Sequence, residues 1–338
     1  MILSQTMKRY LPAYLFSIIV LCAPPCHSSD LAPFRTYNQN PVTLIFGLPA
    51  AGSAKILGNG QGEMALVFDI ASSYATGTSR NEALVLDSET YLLNLTGRLG
   101  VGERFEIGFE VPYIFHSGGF LDGFIEDYHS TFGFPQGGRD TAPNGRLLLS
   151  YQRNASSVYL VHRRSSGIGD IRLNGGYQLY DERTGSRKIA LRASLKLPTG
   201  ESDQLRGSGG ADLALWLTGS QGFETGAGIW EIFGAAGILA MAQGDLMPEQ
   251  QRNAVFFGSL GAGWKPLSWL ALKVQVDGQT AFYKDSSLDE LSSNSAQLIM
   301  GGSFFLSRET SLEIAVSEDL VIKTAPDVVF HLAVLHRF

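Results

Sequence analysis

Eight charged residues sit at alternate positions inside otherwise apolar runs: Arg98, Glu106, Glu110, Arg172, Arg192, Lys196, Lys273 and Asp277. In residues 91–101, Tyr91, Leu93, Leu95 and Leu99 alternate with Asn94, Thr96 and Arg98. In residues 105–115, Phe105, Ile107, Phe109, Val111 and Tyr113 alternate with Glu106, Gly108, Glu110 and Pro112. A period of two sends the two sets to opposite faces of a strand. Carboxylates facing lipid would be prohibitive, so the charged set must line a polar interior. Mixed signs there could tune the selectivity of an open lumen, or pair internally and close a narrow one.

Catalytic chemistry has a thinner basis. His116, His129 and His162 lie in or beside one long loop with Ser117, Asp122 and Asp127. A histidine beside a serine can activate it as a nucleophile when the two are within hydrogen-bond reach. No Gly-x-Ser-x-Gly or His-Glu-x-x-His pattern accompanies them. The chain is therefore read as non-enzymatic, with an outer-membrane hydrolase kept as a competing reading. Both cysteines, Cys22 and Cys26, precede the first strand, so neither a disulfide nor a cysteine-ligated metal is expected, and no cofactor.

The elements that position the charged set read as β-strands. Charged residues make up only 17% of the chain, below the roughly 25% of a typical soluble domain. Yet no run of about 18 apolar residues follows residue 30, which excludes helical spans from that part. The alternation recurs around Ile171–Leu179, Ile189–Leu197, Leu270–Val276, Leu312–Val316 and Phe330–Val334. Segments 64–73, 210–220, 226–241, 253–264 and 295–306 are also strand-like, though Gly and Ala blur them. The fold class is all-β: a transmembrane antiparallel barrel of about 12 strands, with 14 as the alternative.

Connections alternate in length. Residues 102–104, 181–187, 219–225, 265–268 and 307–310 form the short set, expected on the periplasmic side. Residues 74–87, 117–168, 199–209, 242–252, 283–294 and 321–327 form the long, outer set. Segments 145–152 and 158–163 are short for spanning strands and read as a hairpin above the membrane. A soluble β-sandwich would alternate too, but its strands are shorter.

Three regions follow. Residues 1–29 read as a signal peptide: Lys8 and Arg9, an apolar stretch from Tyr10 to Leu21, then small residues. Its removal takes the net charge from −6 to −8, and with no basic block nucleic acid is not an expected partner. Residues 30–62 are broken by Pro33, Pro41 and Pro49 and read as a periplasmic segment or a lumen-filling one. Residues 63–338 are the barrel. Within the long loop, Phe120, Leu121, Phe124, Ile125, Tyr128 and Phe132 fall on one helical face. That helix is expected either to gate the lumen or to pack on the loop hairpin.

Segments 38–41, 46–49, 118–126 and Gly137-Gly138-Arg139-Asp140 resemble an uncharacterised proteobacterial outer-membrane family, a domain of unknown function. Gly167-Ile168-Gly169-Asp170, Lys196-Leu197-Pro198-Thr199-Gly200 and Gly207-Ser208-Gly209-Gly210-Ala211-Asp212 resemble barrels associated with aromatic degradation, relatives of long-chain fatty-acid transporters. That second resemblance implies uptake of small hydrophobic compounds, 14 strands and a plugging N-terminus. The final strand, with Phe330, Leu332, Val334 and Phe338 on one face, resembles the C-terminal signal read by the barrel-assembly machinery. The reading is thus a channel or transporter of the Gram-negative outer membrane, with lipid, the assembly machinery and a small hydrophobic ligand as partners. The alternative is a closed barrel serving structure or surface interaction.

Overall fold

The computed structural model describes residues 31–132, 142–182, 186–320 and 324–338. The expected signal peptide and the Gly137–Asp140 stretch lie outside the described residues. The strands are β1 (Gly62–Thr78), β2 (Glu82–Val101), β3 (Phe105–Ser117), β4 (Leu148–Arg153), β5 (Ser156–Val161), β6 (Ser165–Ile168), β7 (Arg172–Asp181) and β8 (Arg187–Lys196). They continue as β9 (Asp212–Thr225), β10 (Gly228–Met241), β11 (Ala254–Leu267), β12 (Leu270–Gln279), β13 (Ser295–Phe305), β14 (Thr310–Asp319) and β15 (Val328–Arg337). The helices are α1 (Pro41–Leu44), α2 (Asp122–Phe132) and α3 (Asp289–Ser292).

Twelve strands, all except β4, β5 and β6, close into an antiparallel barrel. Closure comes from β1 against β15, with Glu63 opposite Arg337, and from reciprocal backbone bonds between Gly62 and Phe338 of 2.8 and 2.9 Å. Every spanning strand thereby has two partners and no edge is left to lipid. The alternation predicted from sequence is realised: Leu93, Leu95 and Leu99 are exposed outward, while Asn94 and Thr96 are buried inward. At the short-turn end, Trp230 stacks on Trp264 and Trp269 on Phe304, as aromatic residues do at a membrane interface.

β4 and β5 form the expected hairpin above the membrane, laid on the upper end of β2. Three of the expected connections are corrected. Residues 74–87 are no long loop: β1 and β2 run on past the membrane to a tight turn at 79–81, because the extension has β4 to pair with. Residues 219–225 and 265–267 remain paired in β9 and β11, so the turns fall at 226–227 and 268–269. β6 pairs with the upper part of β3 and β7 with its lower part, separated by a break at 169–171.

The core is inside the barrel. Residues 31–57 are almost wholly buried. They rise along the β10–β13 wall, turn over at α1 near the outer end, and descend along β3 and β7–β9 to β1. Phe46 at the top of this turn stacks on Phe282 and tilts against Tyr283.

Candidate functional site

The site is the contact between this N-terminal segment and the charged inner wall. All eight expected charged residues turn inward, and six of them meet atoms of residues 31–57. Arg172 donates to the Phe46 and Leu48 carbonyls and lies over the Tyr37 ring at 4.6 Å. Arg192 donates to the Ser53 carbonyl at 2.8 and 2.6 Å, and Glu106 accepts the Leu57 N–H at 2.9 Å. Lys273 donates to the Ala32 carbonyl and lies 4.0 Å from the centre of the Phe34 ring. Asp277 accepts from Thr36 Oγ1 at 3.3 Å. Arg98 reaches Glu63 and Glu106. Glu110 pairs with Arg172 and accepts from Asn174.

An extended segment without a sheet partner leaves its backbone polar groups to be satisfied by side chains. The alternating inner residues of the strands do this, rung by rung. Trp216 Nε1 donates to Ala51, Gln178 bridges Ala54 and Ile56, and the Leu31 and Phe34 amides find Glu231 and Gln275. These partners were not singled out in the sequence. Each lies at an inward position of its strand, and that periodic place was the only signal available.

The tightest node lies under the turn. Lys196 Nζ is 2.6 Å from Asp170, 3.2 Å from Asp212 and 2.5 Å from Ser208 Oγ, and donates to the Ile45 carbonyl. Asp212 in turn accepts the Gly47 N–H at 2.8 Å. Gly47 fits closely here: an added Cβ would lie 3.1 Å from the Cβ atoms of both Lys196 and Asp212, so its neighbours would have to give by a few tenths of an ångström. The three motifs that resemble aromatic-degradation barrels therefore meet at one ammonium group. A lysine this deeply buried is tolerable only when ion-paired and fully hydrogen-bonded.

The helix expected to gate the lumen is placed elsewhere. Leu121 packs on Val328, Ile70, Val316 and Phe330, all outward-facing, and Phe124 meets the Phe330 ring. Exposed Phe120 stands at its start. The outward carboxylate of Glu89 accepts the Phe120 and Leu121 amides and so fixes where α2 begins. The helix thus lies against the outer face of the wall, where its aromatic residues meet apolar positions. The Ile125, Tyr128 and Phe132 side chains lie outside the described residues, as does that of His129. His116 is buried between Thr90 Oγ1 and the Leu205 carbonyl. Among the described residues no group of metal-ligating side chains is found.

Two open spaces lie toward the periplasm. A cavity of about 120 Å³ between the two limbs of the segment and β1, β2 and β15 is bordered by Arg35, Arg98 and Arg192. A space of about 320 Å³ at the mouth shares Ser53, Arg98 and Arg337 with it.

A closed twelve-strand barrel, apolar outside and filled with charged rungs inside, defines an outer-membrane β-barrel protein. The chain belongs to the family DUF3187, described as a protein of unknown function, whose profile matches residues 13–338. No curated protein matches the sequence. Among solved structures it is similar to the COG4313 outer membrane channel from Pseudomonas putida F1, at 12% identity and TM-score 0.56, over 84% of this chain and 98% of that one. Weaker likenesses are to the CymD monoaromatic hydrocarbon channel, at 13% identity and TM-score 0.38, over 94% and 97%. The Ralstonia pickettii toluene transporter TbuX gives 11% identity and TM-score 0.37, over 83% and 90%.

Proposed function

We propose that this protein is a channel of the outer membrane for small hydrophobic or amphipathic molecules, exported by its signal peptide, in which residues 31–57 act as a plug. The observation that supports this reading is the way the segment is held. Its apex rests on the Lys196 node, and both limbs return to the periplasmic side. A loop that doubles back through a barrel can shift as a unit without moving a strand. A narrow structural barrel would more simply fill its lumen with side chains from the wall.

Liposome swelling tests the proposal with a variant whose residues 33–56 are replaced by a short Gly-Ser linker. The deleted form should admit small solutes much faster than the intact chain. Equal, negligible flux in both forms would remove the channel reading. It would favour the second one, a closed barrel, whose supporting observation is the dense pairing of buried charges along the lumen.

A further inference from the structure

The periplasmic half of the lumen carries more positive than negative charge. Glu63 accepts from Arg98 Nη2 at 2.8 Å and Arg337 Nε at 2.9 Å, and pairs with Arg35 as well. Glu106 pairs with Arg98 and Arg192, each at 3.1 Å. Two carboxylates thus answer four guanidinium groups. The neighbouring pairs are balanced one to one, Lys273 with Glu313 at 2.6 Å and Arg172 with Glu110 at 3.5 Å. Arg308 and Glu309 of the following turn offset each other in the count. Two positive charges are left over in a partly enclosed space, where water screens them poorly and an anion would be strongly favoured.

The same space has an apolar side. All four arginines border the 120 Å³ cavity, and Val67, Phe305 and Leu335 border it too. Glu63 engages one nitrogen of Arg35 and one of Arg337, while each guanidinium has five N–H donors in a planar fork suited to a carboxylate. An inorganic anion would use the charge and leave the apolar wall bare; a neutral hydrocarbon would do the reverse.

We propose that this cavity is a binding site for a small organic anion, its carboxylate held by Arg35 and Arg337 and its apolar body against Val67, Phe305 and Leu335. The site is distinct from the Lys196 node and concerns binding, so it stands or falls independently of whether the barrel conducts.

Isothermal titration of the folded protein in non-ionic detergent, with benzoate as probe and benzyl alcohol as its neutral counterpart, tests this. Benzoate should bind, with the alcohol at least about ten-fold weaker, as expected when charge-assisted hydrogen bonds are removed. Arg337→Gln and Arg35→Gln should each weaken benzoate by a similar factor, and added salt should weaken it further. Arg187→Gln, exposed at the periplasmic rim beside Gln221 and outside the cavity lining, should change nothing. A heat-modifiable gel shift selects the variants that fold, and two independent arginines guard against failure of either one. No benzoate binding by the intact protein, equal affinity for the alcohol, or equal weakening by Arg187→Gln would overturn the proposal.

Discussion

Lys196 and Asp170 stand 2.6 Å apart inside the barrel, one ending β8 and the other in the break between β6 and β7. Their pair joins the wall at the break where pairing with β3 passes from β6 to β7. It also holds the apex of the N-terminal segment, because the same ammonium donates to Ile45.

Removing that ammonium should therefore act on stability and closure together. Lys196→Met leaves Asp170 and Asp212 buried side by side without a counter-charge, which costs about 3–5 kcal/mol for a broken buried pair. The temperature at which the folded band is lost in heat-modifiability gels should fall clearly. Adding Asp170→Asn and Asp212→Asn to the same chain should restore most of the loss, since the neutral triad leaves no unpaired charge. An unchanged midpoint in the single variant would show that the node carries no such load.

The position of α2 gives a second prediction. Its first turn is fixed to the outer wall by Leu121 on Val328 and by Glu89 beneath the Phe120 and Leu121 amides. Leu121→Asp should release the helix and expose residues 118–133 to added protease on intact cells. Solute flux through the barrel should stay as it was. A rise in flux on releasing α2 would return the helix to the role of a gate.

Alkaline pH should loosen the hairpin above the membrane. Burial, followed by the hydrogen bond to Glu82, pushes the Tyr151 phenol up from its ordinary 10.0 to about 12. Burial also raises Tyr159 of the same hairpin and Tyr283 in the loop that covers it. For an acid whose folded value is raised, the stabilisation is complete below 10.0. It declines as the pH climbs toward 12, because only the unfolded form ionises readily. Tyrosinate absorbance should show these three rings titrating late and together with the appearance of protease cleavage in residues 148–161. Their replacement by Phe should diminish the late phase and separate what remains of it from the cleavage, and titration with the exposed tyrosines would contradict the assignment.

The barrel was legible because lipid leaves so little freedom: one face of every spanning strand must be apolar, so period two survives wherever Gly and Ala do not dilute it. Arg98, Glu106 and Lys273 stand inward for that reason alone. What they contact was not legible, since a segment such as Pro33–Ile56 makes its bonds by backbone groups that every sequence possesses. The same holds for α2. Its apolar face announced that Leu121 and Phe124 must be covered, but Val328 and Phe330 read equally well as lipid-facing residues. Only the fold says that the one surface lies over the other.

The central claim, that the N-terminal segment closes the lumen and can leave it, is tested most directly by a reversible tether. Cys22 and Cys26 are the only cysteines in the chain, both ahead of residue 31, so a new pair would have no competitor within the barrel. A Cβ at residue 47 would lie 3.1 Å from that of residue 212, close to the reach of a disulfide. Single-channel recording of Gly47→Cys/Asp212→Cys should show a silent barrel when oxidised and openings once a reductant is added. Identical conductance before and after reduction would contradict the claim.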